Sequence, residues 1–209
     1  MTFKHFLEIQ PKLEKANLSP EEPFLEMMPA NRKNIDYSNI DFSQARKAAV
    51  MCIFYPNKNK EACILLTLRA SYNGTHSNQI SFPGGKKDPS DLNSKETALR
   101  ETFEEIGIED VHVFKKMSKV YIPPSNFYVS PYIGFVNHEL KIVKNHEVEQ
   151  IIELPVEKLL DNSYFTEEKI NTKNNLKMSV PCFKLDEYII WGATAMMLNE
   201  IKYLIKLHK

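Results

Sequence analysis

The sequence predicts an α/β fold, and three observations carry that prediction. Two continuous apolar runs of strand length, residues 48–55 (AAVMCIFY) and 62–69 (ACILLTLR), flank a turn at 57–61. A helix-period segment over 94–106 ends at Gly107, a residue suited to closing a helix. A second helical segment over 196–207 repeats Met197, Leu198, Ile201, Leu204 and Ile205 at helical spacing, the pattern of core packing. With 209 residues there is enough chain for one domain with a sizeable core, here placed at 45–209, preceded by a helix and lead-in segment at 1–44.

Residues 3–18 set Phe3, Phe6, Leu7, Leu13 and Leu18 among polar residues, which predicts a short amphipathic helix disturbed near Pro11. Residues 19–41 are rich in Pro, Asn and acids and read as a loop-like lead-in that either wraps the domain or helps form a homodimer. After the two apolar strands, 78–82 reads as a short strand. The helix at 94–106 has Ser94 as its N-cap and Ala98, Leu99, Thr102, Phe103 and Ile106 as its packing face. Strands follow at 111–121 and 128–136. They are joined by a rigid segment, Pro123-Pro124, whose Ser125, Asn126 and Phe127 either line a ligand cleft or form a plain turn. Residues 147–154 alternate as a strand, 155–160 begin a short helix, and 177–185 form a late strand before 188–195 lead into the last helix.

Composition narrows the classes. Lys plus Arg and Asp plus Glu number 27 each, so no overall charge argues for nucleic acid or membrane partners. No apolar run approaches the roughly 20 residues that span a bilayer, and the first residues lack the continuous apolar core of a signal peptide. Cys52, Cys63 and Cys182 lie far apart in apolar segments, as reduced core residues of a cytoplasmic protein would.

The chemistry concentrates between Phe82 and Ile108. Phe82-Pro83-Gly84-Gly85 is a turn in which glycines allow conformations that other residues resist. On the helix that follows, Glu101, Glu104 and Glu105 stand at i, i+3 and i+4, so three carboxylates share one face. Like charges repel, and a hard divalent cation with oxygen ligands, typically Mg²⁺, relieves them while taking substrate phosphates as further ligands. Two such glutamates alone would read as an ordinary exposed acidic face. Here the three follow the Gly-Gly turn at a fixed distance, with Arg100 beside them.

That combination resembles the Nudix box, G-x5-E-x7-R-E-U-x-E-E-x-G-U with U a bulky apolar residue, at Gly85, Arg100, Glu101, Glu104, Glu105, Gly107 and Ile108. Asp91 stands where the box has its first Glu, with one extra residue before Arg100, and Thr102 replaces a U. The longer spacing is similar to the coenzyme A pyrophosphatase branch. So are Leu65-Leu66-Thr67-Leu68-Arg69-Ala70 before Phe82-Pro83-Gly84-Gly85, and Trp191-Gly192-Ala193-Thr194-Ala195 near the end. His76 and Gln79 match residues frequent in that branch. Gly74 replaces its second Arg, a side chain well suited to gripping phosphate, and Asn78 replaces its Gly.

The resemblance covers residues 45–207 and implies the Nudix α/β/α sandwich with a mixed central β-sheet. It implies hydrolysis of a nucleoside diphosphate linkage in a small-molecule substrate, with Mg²⁺ or Mn²⁺ held by Glu101, Glu104, Glu105 and a carbonyl of Gly84 or Gly85. Arg100 would orient the glutamates, and Glu147 would be the acidic residue brought from outside the box, with Glu149 on the same strand face as its alternative. Arg69, Phe82, Gly84, Ser125 and Asn126 would contact substrate.

Overall fold

The computed structural model describes residues 1–70, 79–171 and 177–209. Three helices come first: α1 (Phe3–Lys15), α2 (Glu21–Met27) and α3 (Ala30–Lys33). The chain then enters the long strand β1 (Arg46–Pro56), whose apolar run is buried on both faces and therefore takes the centre of the sheet. β2 (Ala62–Arg69) pairs antiparallel with it across the 57–61 turn. β3 (Ile80–Ser81) adds to β2, and β4 (Gly84–Lys86) lies antiparallel to the first half of β1.

The helix α4 (Ser94–Ile106) leads to β5 (His112–Lys116), β6 (Val120–Ile122) and β7 (Phe127–Phe135). β7 runs parallel to β1, while β5 and β6 run antiparallel to β7, so the eight-stranded sheet is mixed. β8 (Val148–Pro155) closes the other side against β2, followed by the short α5 (Val156–Leu160). A separate three-stranded meander, β9 (Phe165–Asn171), β10 (Lys177–Leu185) and β11 (Tyr188–Trp191), delivers the chain to α6 (Gly192–Lys206).

Alternation along β1 divides the core. Ala49, Met51 and Ile53 pack with Ala98 and Ile106 of α4 on one face. Cys52 and Phe54 pack on the other face in a cluster with Phe3, Phe6, Ile9 and Leu13 of α1 and Leu198, Ile201 and Ile205 of α6. Helices therefore cover both faces of a mixed sheet, as expected. The segment before residue 45 belongs to this packing: Phe6 is fully buried and stacks on Phe54 at 4.4 Å between ring centroids. All three cysteines are buried and unpaired. Among the described residues, no helix is long and apolar enough to cross a membrane.

Several local expectations need correction. Residues 19–41 contain α2 and α3, because Pro20 and Pro23 sit before and inside the first turn of α2, where a missing N–H costs little. Pro11 does not interrupt α1; it lies on the exposed side, where water can meet the carbonyl left without a donor. Asn93, not Ser94, caps α4. It is extended (φ −153°), and its side chain accepts from Lys95 N–H at 2.9 Å and Glu96 N–H at 3.1 Å. The strand expected over 111–121 is split into β5 and β6, with a register shift between Val113 and Lys115 and Met117 N–H bonded to Pro131 C=O. The last helix starts at Gly192, so the Gly-Ala-Thr-Ala element forms its first turn and Thr194 donates to Ile80 C=O at 2.9 Å.

Candidate active site

Two neighbouring glycines bring the box helix against the sheet. Gly84 has a φ of +148°, and a Cβ there would strike the backbone of Ala49 and Val50. Gly85 faces α4, and a Cβ there would fall under 3.0 Å from the Glu101 carboxylate. The bare backbone of β4 is thus what lets Glu101 lie over the turn.

Glu105 is the most enclosed of the three carboxylates, at 2% exposure. Gly84 N–H donates to its Oε2 at 3.1 Å, and Arg69 Nη1 reaches its Oε1 at 3.2 Å. Burial pushes its carboxyl up to about 7, against the pull of Arg69 and the Gly84 N–H and with the added repulsion of Glu101 and Glu147. Burial also raises Glu101, partly offset by the Arg100 guanidinium 3.1 Å away. Glu104 is exposed and paired with Arg100 Nη1 at 3.0 Å.

Arg100 is fixed from the other side by Asp91. Nε and Nη2 donate to the two carboxylate oxygens of Asp91 at 2.9 and 3.0 Å, and Nη2 also donates to Lys86 C=O at 3.2 Å. Asp91 is 7% exposed, accepts Asp88 N–H at 2.8 Å, and is held well below the usual carboxylate range, chiefly by Arg100. The residue in place of the first box Glu thus anchors the arginine that steers Glu101 and Glu104. Thr102, in place of an apolar residue, is fully buried with its hydroxyl donated to Ala98 C=O at 2.7 Å.

Asp91→Asn is expected to cost about 2 kcal/mol at pH 7 through loss of a charged, two-pronged hydrogen bond, read by urea denaturation. A carboxyl lowered in the folded state stabilises above its unfolded value, so the difference should shrink as pH falls below the ordinary 3.8. Loosening of Arg100 is expected to lower kcat about tenfold.

Glu147 joins the cluster across Arg69, whose Nη2 lies 3.4 Å from its Oε2; Glu149 makes no contact of this kind among the described residues. Arg69, expected from the sequence to contact substrate, bridges Glu105 and Glu147 in this structure. Asn145 went unnoticed. Its N–H donates to Glu105 C=O and its Oδ1 accepts Glu147 N–H, each at 2.9 Å. No spacing in the sequence links residue 145 to residue 105; only the loop before β8 does.

Phe82 is 1% exposed within the core, so its side chain seats the Pro83–Gly85 turn and has no surface to offer a substrate. Ser125 and Asn126 lie at the start of β1, the half that pairs with β4, where Arg46 N–H bonds Asn126 C=O at 2.8 Å. Positions 74, 76 and 78 lie outside the described residues.

The donor set suits a hard divalent ion: Glu101 and Glu105 are raised chiefly by burial, with further repulsion from neighbouring glutamates, and among the described residues Arg69 and Arg100 balance them. Among the described residues no three acidic, imidazole or thiol groups already form a closed metal cage. Metal binding would exchange guanidinium contacts for metal–oxygen ones at Glu101, Glu104 and Glu105.

A sandwich of this kind, carrying an arginine-steered acidic helix beside a Gly-Gly turn, is a hydrolase scaffold, and the comparisons agree. The NUDIX domain model matches residues 45–174. Nudix hydrolase 3 of Caenorhabditis elegans is 27% identical over 197 residues, covering 84% of this chain and 79% of that protein. The uncharacterized Nudix hydrolase NudL of Yersinia pestis is 33% identical over 144 residues, covering 68% and 71%. In fold, the chain is similar to the Nudix hydrolase RenU of M. smegmatis (TM-score 0.54, 15% identity, 79% of this chain and 88% of that one). It is also similar to a MutT/nudix family protein of Enterococcus faecalis (TM-score 0.54, 12% identity, 92% and 76%). The chain belongs to the Nudix family and is a Nudix hydrolase. Members of the family generally use divalent metal ions and bind small nucleotide-derived substrates.

Proposed function

We propose that this chain hydrolyses the diphosphate of coenzyme A or an acyl derivative to 3′,5′-ADP and a 4′-phosphopantetheine product, with Mg²⁺ or Mn²⁺. The observation that carries the hydrolytic part is the convergence of Glu101, Glu105 and Glu147 around the Gly84–Gly85 turn. The substrate rests on the Leu65–Ala70 and Trp191–Ala195 elements with the Asp91 spacing. When bound, the divalent ion supplies charge neutralisation for the phosphates and a more acidic water. Glu101, Glu104 and Glu105, with a carbonyl of Gly84 or Gly85, hold it. Arg100 fixes the rotamers of Glu101 and Glu104. A carboxyl near 7, as at Glu105, can take a proton at neutral pH, and Glu147, across Arg69 from it, is the other candidate base. Three buried thiols fit a reducing, cytoplasmic setting.

A second reading, hydrolysis of ADP-ribose or a dinucleotide, is favoured by Gly74, which brings no guanidinium to the phosphates. Purified protein with Mg²⁺ is tested against coenzyme A, ADP-ribose, NADH and diadenosine polyphosphates in parallel. Release of 3′,5′-ADP from coenzyme A is expected. Cleavage confined to ADP-ribose or a dinucleotide overturns the coenzyme A assignment, and cleavage of none turns the chain into a nucleotide-binding module.

A further inference from the structure

We propose that Asn145 is a positioning residue for the hydrolysis, holding Glu147 in place against the carboxylates of the box helix. This role rests on the reading in which Glu147 takes part in the reaction. An α-helix ends with carbonyls that its own turns cannot satisfy, and at the end of α4 two of them belong to Glu105 and Ile106. The loop before β8 supplies both donors: Asn145 N–H reaches Glu105 C=O at 2.9 Å, and Val143 N–H reaches Ile106 C=O at 3.0 Å. The loop then turns on Asn145. Its Oδ1 accepts Glu147 N–H at 2.9 Å and its C=O accepts Val148 N–H at 3.4 Å, a side-chain-closed turn to which asparagine is suited. On the other side, Glu147 C=O accepts Ala70 N–H at 2.8 Å, directly after Arg69. Both backbone groups of Glu147 are thus bonded, one to Asn145 and one to the end of β2.

The strand alone does not give Glu147 this place. Leu68 pairs with Gln150 but Arg69 pairs with Val148, so Glu149 is an extra residue on β8 and the alternation breaks where the ladder reaches the site. In an unbroken ladder Glu149 would stand opposite Arg69. The bulge brings Val148 there instead and leaves Glu147 within reach of the guanidinium. Lys144 Nζ donates to Val148 C=O at 3.3 Å and to Glu149 C=O, stiffening the same corner. The Glu147 side chain is 48% exposed and meets Arg69 Nη2 at 3.4 Å, a loose contact, so its aim is set by its backbone. Asn145 Oδ1 is the side-chain part of that hold. Its own N–H stays on Glu105 C=O whatever side chain stands at 145, so a substitution there releases Glu147 and leaves Glu105 tied.

The test is steady-state kinetics with Mg²⁺ on coenzyme A, or on ADP-ribose if that is the compound cleaved. Asn145→Ala is expected to lower kcat about ten- to hundredfold at a KM within about twofold of wild type, since a shift of about 1 Å in a catalytic group can cost a hundredfold. Asn145→Asp keeps the accepting oxygen and should stay within about threefold of wild type. A merely structural residue would cost the same whatever stands at 147. Here the loss from Asn145→Ala should shrink below about twofold in a Glu147→Gln background, itself impaired, because the group being held is gone. Amide hydrogen exchange of the metal-free protein reads the geometry apart from turnover. Glu147 N–H should exchange about tenfold faster in Asn145→Ala but not in Asn145→Asp, with a melting temperature about 2–4 °C lower in the alanine variant. Equal losses in both backgrounds, or unchanged exchange at Glu147 in Asn145→Ala, overturn the positioning role. An impaired Glu147→Gln beside a fully active Asn145→Ala sinks that role and leaves Glu147 in the reaction. Wild-type kcat in Glu147→Gln instead removes Glu147 from the reaction, and the parent reading is what fails.

Discussion

Glu105→Gln is expected to lower kcat by about a hundred- to a thousandfold while making the protein more stable at pH 8. The two effects come from one position. Glu105 sits at 2% exposure, accepting Gly84 N–H at the point where Glu101 and Glu147 also converge. Glutamine keeps an oxygen for that N–H, so the turn should hold, but it removes the charge on which ion binding depends. Stability follows from the sign of the shift. The folded carboxyl titrates at about 7 against 4.5 for an ordinary glutamate, so the native state holds its proton more tightly than the unfolded chain. Stability is then lost as pH rises between those values, by about 3 kcal/mol in all before relaxation. Glutamine, a permanent stand-in for the protonated acid, escapes that loss. Urea denaturation should show a gain of about 1–3 kcal/mol at pH 8 and almost none at about pH 4. A variant that turns over normally removes Glu105 from the site; a gain independent of pH removes the buried charge as its cause.

What the sequence revealed and what it hid follow from the range of the interactions. The helix over Ser94–Ile106 and the strands over Ala62–Arg69 and Lys177–Leu185 match their expected bounds, because periodicity and caps are local. The i, i+3, i+4 spacing placed the carboxylates on one face for the same reason. α2 stayed hidden because its two prolines read as a loop, although both sit where a helix start tolerates them. β9 (FTEEKIN) carries too little apolar alternation to be read as a strand; it is held by its antiparallel register with β10. In the site, Arg100 as the partner of Glu101 and Glu104 was legible from the box, and the partner of Glu105 was not. Arg69 reaches Glu105 from 36 residues away, and Arg32 meets Tyr121 from 89 residues away. Such pairings are made by the sheet and by α6, and no local pattern encodes them.

Gly84 and Gly85 are adjacent, yet alanine should act on them in opposite ways. At Gly84 the backbone has a φ of +148°, and a Cβ would meet the Ala49 carbonyl and the Val50 Cα under 3.0 Å. Those atoms belong to the buried centre of β1 and cannot step aside. Gly84→Ala should therefore cost about 3 kcal/mol or more, through strain and loss of the β1–β4 pairing. At Gly85 the atoms met are the far end of Glu101, a side chain that can swing away. The cost to the fold should be below about 1 kcal/mol, since alanine also restricts the unfolded chain. The carboxylate, however, must leave its place over the turn, and displacement of a catalytic group by about 1 Å can cost a hundredfold in rate. Gly85→Ala is thus expected to melt within a few degrees of wild type while losing about a hundredfold in kcat/KM. Restored activity in Gly85→Ala with Glu101→Asp would tie the loss to the length of that side chain. Wild-type kinetics in Gly85→Ala would show instead that Glu101 works from a position clear of the turn, and the metal set would then have to be drawn from Glu104, Glu105 and Glu147.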